Sequence, residues 1–186
     1  MTTKLYGVDL GTSVIKIYKK GKGVIVDQKN MIAIENKKKV RAIGDEAYEM
    51  YEKAPENVDV SYPIKKGVIA EIVYMEALFN CYLKRVYKGG KALPSDYIVT
   101  IPTDITDVER RAFSDLIESG NARAKSVKMV EKPIVAALGA DLDITNAKGV
   151  MMIDIGASTT EISVLSLGGI VVSKLLQSVI MQLMSQ

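Results

Sequence analysis

The sequence predicts an α/β fold whose opening pattern is repeated, in part, further along the chain. Two observations carry this. A meander of short apolar strands near the start gives way to alternating strand and helix patterns, and a similar meander opens at Val150. Each meander also brings an Asp to the end of its first strand and follows it with a Gly turn. These are Asp9-Leu10-Gly11-Thr12-Ser13 and Asp154-Ile155-Gly156-Ala157-Ser158-Thr159. A supersecondary unit that recurs in this way marks a degenerate internal duplication.

Leu5 to Asp9 and Val14 to Tyr18 alternate or run apolar, so the first Gly turn joins two strands. Gly21 and Gly23 punctuate the next turn, and Val24 to Val26 supplies a third strand. Met31 to Ile34 and Val40 to Ile43 form a hairpin across Lys37-Lys38-Lys39, a solvated tip. Asp45 to Tyr51 reads as a short helix capped by Asp45, and Ala54 to Asn57 as a loop. In Ile72 to Tyr87, residues Ile72, Met75, Phe79, Tyr82 and Val86 recur at spacings of three and four. That is a long helix with one buried face, ended by Gly89-Gly90. Asp96 to Ile101 is a strand stopped by Pro102. Thr106 and Glu109 form a capping box, in which each side chain satisfies an orphan N–H. The helix behind it buries Val108, Ala112, Phe113, Leu116 and Ile117. Val127 to Val130 is a short strand. Pro133 opens a helix where its missing N–H costs nothing, and that helix runs to about Leu142. Asp143 to Lys148 reads as a hinge. Val150 to Ile155, Glu161 to Leu165 and Ile170 to Leu176 are the strands of the second meander.

This pattern divides the chain into a first lobe at 1–145, with a small inserted subdomain at about 30–70. The start of a second lobe follows at 146–176, then an atypical tail at 177–186. Within the tail, Val179, Ile180, Leu183 and Met184 have the spacing of a short amphipathic helix; a truncated or frame-shifted product reads equally well. A second lobe that stops here leaves a sheet edge unpaired and predicts self-association.

Composition removes whole classes of function. With 186 residues, 48% hydrophobic and 25% charged, the chain has the makings of a real core. Its 25 basic residues against 22 acidic ones are spread along the chain, which gives no nucleic-acid footprint. The lone Cys81 makes no intrachain disulfide and fits a reducing cytoplasm. There is no histidine, so His triads, His general bases and most zinc sites are excluded. No stretch reaches the roughly 18 apolar residues of a membrane span.

The two Gly turns share one chemistry. Without a side chain at Gly11 or Gly156, backbone N–H groups can approach an anion closely, and Thr12, Ser13, Ser158 and Thr159 add hydroxyl donors. Two such hairpins face to face would clamp a triphosphate, with Asp9 and Asp154 holding a water-coordinated Mg²⁺ between them.

At these residues the sequence resembles the actin, chaperone and sugar-kinase superfamily, with its actin-like ATPase (ribonuclease H-like) fold, and within it the MreB/Mrl family. The closer resemblance rests on Gly67-Val68-Ile69-Ala70, Asp107 to Ala112, Glu131-Lys132-Pro133 through Ala136 to Ala140, and Asp154 to Glu161, in order and spacing. It implies two facing lobes with ATP and Mg²⁺ between them, the first lobe complete and the second truncated in this sequence. It also implies homopolymerisation into filaments under the cytoplasmic membrane, alongside cell-wall synthesis and rod-shape proteins. By the same resemblance, Gly11, Thr12, Ser13, Gly156, Ala157, Ser158 and Thr159 contact nucleotide, and Asp9 and Asp154 the metal.

Against that family pattern, Lys132 stands where a Glu positions the attacking water. A lysine carries the opposite charge and, protonated, accepts no hydrogen bond, so the resemblance implies weak or absent hydrolysis. Ala157-Ser158 stands in place of Gly-Gly, and Val14-Ile15 in place of polar Asn and Thr. Ala92 and Leu93 match a loop that touches the bilayer in the family. Two rivals stand beside this reading, the first sharing the opening hairpin and the second the fold. One is a sugar-kinase-type phosphotransferase, with Lys16 nearby but no evident Asp base for the sugar. The other is a non-hydrolysing pilus or division scaffold.

Overall fold

The computed structural model describes residues 4–177. The tail helix expected through Val179, Ile180, Leu183 and Met184 lies outside them.

Strands β1 (Lys4–Leu10), β2 (Val14–Lys19) and β3 (Gly23–Lys29) form an antiparallel meander, as their alternation predicts. A second, small layer follows: β4 (Ile32–Glu35), β5 (Lys39–Ile43), the one-turn helix α1 (Asp45–Glu49) and β6 (Val58–Ser61), in sheet order β5-β4-β6. Asp45 is not the cap of α1. Gly44 takes that position, and the Asp45 carboxylate accepts the Lys29 N–H at 3.3 Å. The sequence pattern predicts no strand between 58 and 71. There β6 is only four residues, and the ribbon β7 (Ile64–Lys65) with β8 (Val68–Ile69) is too short to show a period.

The long helix α2 (Ile72–Val86) buries Met75, Leu78, Phe79, Tyr82 and Leu83. Ile72, expected on that face, is exposed together with Val73, and the buried face of the helix starts at Met75. β9 (Ser95–Ile101) pairs parallel with β1. α3 (Asp107–Ser119) starts with the predicted capping box, Thr106 and Glu109 bonding reciprocally. Its Phe113, Leu116 and Ile117 are buried, whereas Val108 is 79% exposed. Five residues before Phe113, Val108 is rotated roughly 140° away at 3.6 residues per turn.

β10 (Ala124–Glu131) is twice the expected length and pairs parallel with β9, after a register shift between Ala124 and Ser126. The first sheet therefore runs β10-β9-β1-β2-β3. Its Val8, Leu10, Ile15 and Ile17 meet α2 and α3 in one core. α4 (Lys132–Gly139) follows directly, with Pro133 in its first turn.

The second sheet is β11 (Val150–Ile155), β12 (Thr159–Ser166) and β13 (Gly169–Gln177), antiparallel in that order. α4 packs beneath it through a small cluster of Ala137, Ile144 and Leu165, with Ile134, Met152 and Ile170 around them. Among the described residues the opposite face is uncovered and largely apolar. Met151, Ile153 and Ile155 are exposed on β11, and Val172 and Leu176 on β13.

The expected hinge at 143–148 is a fastened turn. Asp143 accepts the Thr145 hydroxyl and N–H and the Asn146 amide, and the Leu167 and Gly168 N–H groups bond back to Asn146 and Ile144. These donors, the Thr145 hydroxyl foremost, hold the Asp143 carboxyl below its ordinary range. Among the described residues no helix is long and apolar enough to cross a membrane.

Candidate functional site

The two Gly turns close in the same way. Gly11 N–H donates to the Val14 carbonyl at 3.0 Å, and Gly156 N–H to the Thr159 carbonyl at 2.8 Å. A Cβ on Gly11 would sit 2.8 Å from the Val14 oxygen, and one on Gly156 2.9 Å from the Thr159 oxygen. Side chains are excluded at both positions by that contact. The N–H groups of Thr12, Ser13, Ala157 and Ser158 make no backbone hydrogen bond among the described residues. Orphan donors in successive turn residues are what an anion needs.

The turns meet across one cavity of ≈ 360 Å³. Asp9, Gly11, Thr12, Ser13, Asp154, Gly156, Ala157 and Thr159 all line it. Ser158 does not line it; its hydroxyl bonds that of Thr12 at 2.6 Å, directly joining the hairpins. Lys16, Gly67, Lys132 and Glu161 are also part of the wall. A cavity of ≈ 390 Å³ lies between β3 and α2, lined by Lys19, Tyr82 and Arg85 among others, but it contains neither Gly turn.

Lys132 points into the site. Its Nζ lies 3.4 Å from Asp9 Oδ1, and the same oxygen accepts the Thr100 hydroxyl at 2.5 Å. Glu131 faces elsewhere, 3.6 Å from Arg110. Of the two apolar replacements in the first hairpin, Val14 lines the cavity, while Ile15 is fully buried in the core behind it.

Two residues that hold the site were missed in the sequence. Asn30, completely buried, donates its amide to the Gly11 carbonyl at 2.7 Å and its N–H to the Ser13 carbonyl at 2.8 Å. It braces the first turn from 19 residues away. Glu161, also buried, accepts the Thr103 N–H at 3.0 Å and the Thr103 hydroxyl, tying the second sheet to the loop after β9. Its signal was readable: Glu161, Ser163 and Leu165 share the inward parity of β12, and a carboxylate there needs a partner. Nothing in the spacing could have found Asn30.

The residues fit a hydrated Mg²⁺ poorly. Asp9 and Asp154 both line the cavity, but Asp9 is engaged by a hydroxyl and an ammonium. No group of three or more His, Cys, Asp or Glu able to hold a metal ion occurs among the described residues.

The loop residue Ala92, expected at the surface, is instead buried, with its carbonyl accepting from Arg123 at 3.3 Å. Leu93 beside it is 51% exposed.

The sequence pattern of the family described as MreB/Mbl protein matches residues 3–179. The chain belongs to the MreB/Mbl family. Among its curated relatives are the cell shape-determining proteins Mbl of Bacillus subtilis (strain 168) and MreB of Escherichia coli (strain K12). Both are 37% identical to it, over 168 and 172 residues; the matches cover 90% and 89% of this chain and 50% and 49% of theirs. The chain thus spans about half the length of the curated MreB and Mbl relatives it matches.

Solved structures place it with the same family. MreB 5 of Spiroplasma citri bound to AMPPNP superposes with a TM-score of 0.84 at 29% identity, over 95% of this chain and 53% of that one. The same protein bound to ADP gives 0.85 at 29% identity, over 95% and 52%. The MamK double helical filament gives 0.74 at 22% identity, over 95% and 55%, a likeness of fold. The fold is actin-like.

Proposed function

We propose that this chain forms the phosphate-clamping part of an actin-like cell-shape protein that binds ATP between its two hairpins and assembles into filaments. Residues 1–145 would be one wall of the cleft, and 146–176 the start of the other. The observation that carries the reading is the pair of Gly turns, identical in their closing bond, facing one cavity and joined by the Thr12–Ser158 hydroxyl bond. The named relatives are cell shape-determining proteins, and the Spiroplasma relative is bound to AMPPNP or ADP.

Hydrolysis is weak in this reading. An ammonium on Asp9 stands where the resemblance requires a carboxylate to orient water. Mg²⁺ would screen phosphate charge when bound, but Asp9, its expected ligand, is already engaged by Lys132 and Thr100.

Attachment to a membrane surface rests on Leu93, with the exposed Lys84, Arg85, Lys88 and Lys91 able to add about 1 kcal/mol each toward anionic lipid. One buried Leu is worth about 2 kcal/mol, too little to hold a chain on a bilayer without partners. Liposome co-sedimentation of wild type against Leu93→Ser checks this, and equal binding by both removes Leu93 from the reading.

The central test is ATP affinity of the full-length protein by calorimetry, with filaments imaged by electron microscopy. Gly156→Val forces a side chain against the Thr159 carbonyl and is expected to weaken ATP binding by about tenfold or more. An unchanged affinity would remove the second hairpin from the site. Phosphate release is expected to rise in Lys132→Glu; a wild type that already releases phosphate faster than Lys132→Glu would overturn the weak-hydrolysis reading.

A further inference from the structure

We infer that Lys132 is a built-in cation that takes the place of the divalent metal, so that this site binds nucleotide phosphate with little dependence on Mg²⁺. The inference rests on the nucleotide reading above and concerns what neutralises the phosphates.

Three observations converge. First, the carboxylate that should meet a hydrated metal is already paired. Asp9 Oδ1 has the Lys132 ammonium 3.4 Å away and the Thr100 hydroxyl closer still. A divalent ion approaching that oxygen is repelled by the ammonium and has to displace a hydrogen bond. Mg²⁺ tolerates such competition poorly, because it demands near-ideal octahedral oxygen geometry and gives up its water reluctantly.

Second, Lys132 is the first residue of α4 and lines the cavity, so the positive end of the helix opens on the same space. A cation at a helix N-terminus works against the helix dipole. No acidic residue in the first turn of α4 offsets it, and Glu131 just before is engaged with Arg110. Asp9 supplies the compensation here, and the oxygens of a bound phosphate can supply it in its place. The ammonium side chain is only 22% exposed, so its field is screened less than that of a surface lysine.

Third, a second lysine, Lys16, lines the cavity from β2. Two ammonium groups and the orphan N–H donors of both turns give a phosphate chain the positive surroundings that a metal otherwise provides. Lysine acts on phosphate as a movable point charge, and the Lys132 side chain can reach from Asp9 to a phosphate without any change of fold.

The test measures ATP affinity of the full-length protein by calorimetry, once with Mg²⁺ and once with EDTA. Mn²⁺ bound alongside ATP is read separately by electron paramagnetic resonance. The wild type is expected to keep its affinity within about threefold on chelation, and to show little bound Mn²⁺. Lys132→Glu, which places a second carboxylate beside Asp9, is expected to bind ATP about tenfold or more tightly with Mg²⁺ than without, and to gain a bound-Mn²⁺ signal. If that variant fails to fold, Lys132→Gln removes the charge at similar size and is expected to lose affinity in both buffers alike.

A wild-type loss of about tenfold or more on chelation overturns the inference and leaves the nucleotide site standing. So does unchanged affinity in Lys132→Gln. Absence of ATP binding in either buffer overturns the inference and the nucleotide reading together.

Discussion

The two meanders of this chain are built alike and stand in opposite surroundings. β1-β2-β3 and β11-β12-β13 share the antiparallel order and the Gly turn with the same closing hydrogen bond. In the first, the strands continue into β9 and β10, and the face carrying Val8, Leu10, Ile15 and Ile17 is sealed by α2 and α3. In the second, three strands stand without further pairing among the described residues. One face meets α4 through a small cluster, and the other presents Met151, Ile153 and Ile155 to solvent. The closing bond of the Gly turn therefore does not depend on how far its sheet is covered, although the first turn gains a further brace from buried Asn30; stability comes from what covers the sheet.

The largest test of that difference compares Ile17→Ala with Ile153→Ala. The first empties a fully packed site and is expected to cost about 2–5 kcal/mol; the second touches an exposed side chain and should stay within about 0.5 kcal/mol. Urea unfolding of both variants checks this, and equal losses would break the comparison.

Next in size come the turns themselves. Gly11→Ala and Gly156→Ala each drive a Cβ against a carbonyl at under 3 Å, and each is expected to cost about 1–3 kcal/mol. The Gly11 change should be the larger, because the buried Asn30 pins that turn and keeps it from relaxing. Thermal melts of the pair read the ordering.

Between the sheets, Glu161→Gln weakens the charge-assisted bonds to Thr103 and should cost about 1–2 kcal/mol, seen as a lower denaturation midpoint.

The smallest effect belongs to Asp143. Its carboxyl is held below the ordinary range by Thr145 and Asn146, so its charged form is favoured in the folded chain. That contribution is full above the unfolded-state value and fades as the pH falls through the lowered folded-state value. The stability gap between wild type and Asp143→Ala should thus be present at neutral pH and close in acid, which melts across a pH series will show.

Strands β1, β2 and β9 of the first sheet, α2, α3 with its capping box and the whole second meander were legible because each is long enough to show its period. The small-layer strands around Val58 to Ile69 were not, being two to four residues long. β10 was under-read because Lys125, Ser126 and Lys128 interrupt its apolar alternation. Within the site, both Gly turns could be read directly, since the sequence carries glycine where a side chain cannot fit. Asn30 could not, because its role depends on the close approach of the chain to Gly11, which no local pattern encodes. The Lys132 substitution was visible as a letter, but its partner Asp9 lies 123 positions away and emerges only when β1 and α4 come together.

One consequence follows from the placement of α4. Its first residue reaches Asp9 on the first sheet, while its body rests under the second sheet at Ala137. Lys132 follows β10 directly, so its ion pair with Asp9 closes within the first lobe, while the flank of the same helix carries the second sheet. The helix is thus a shared footing, pinned to the first sheet at its start and bearing the second sheet along its side.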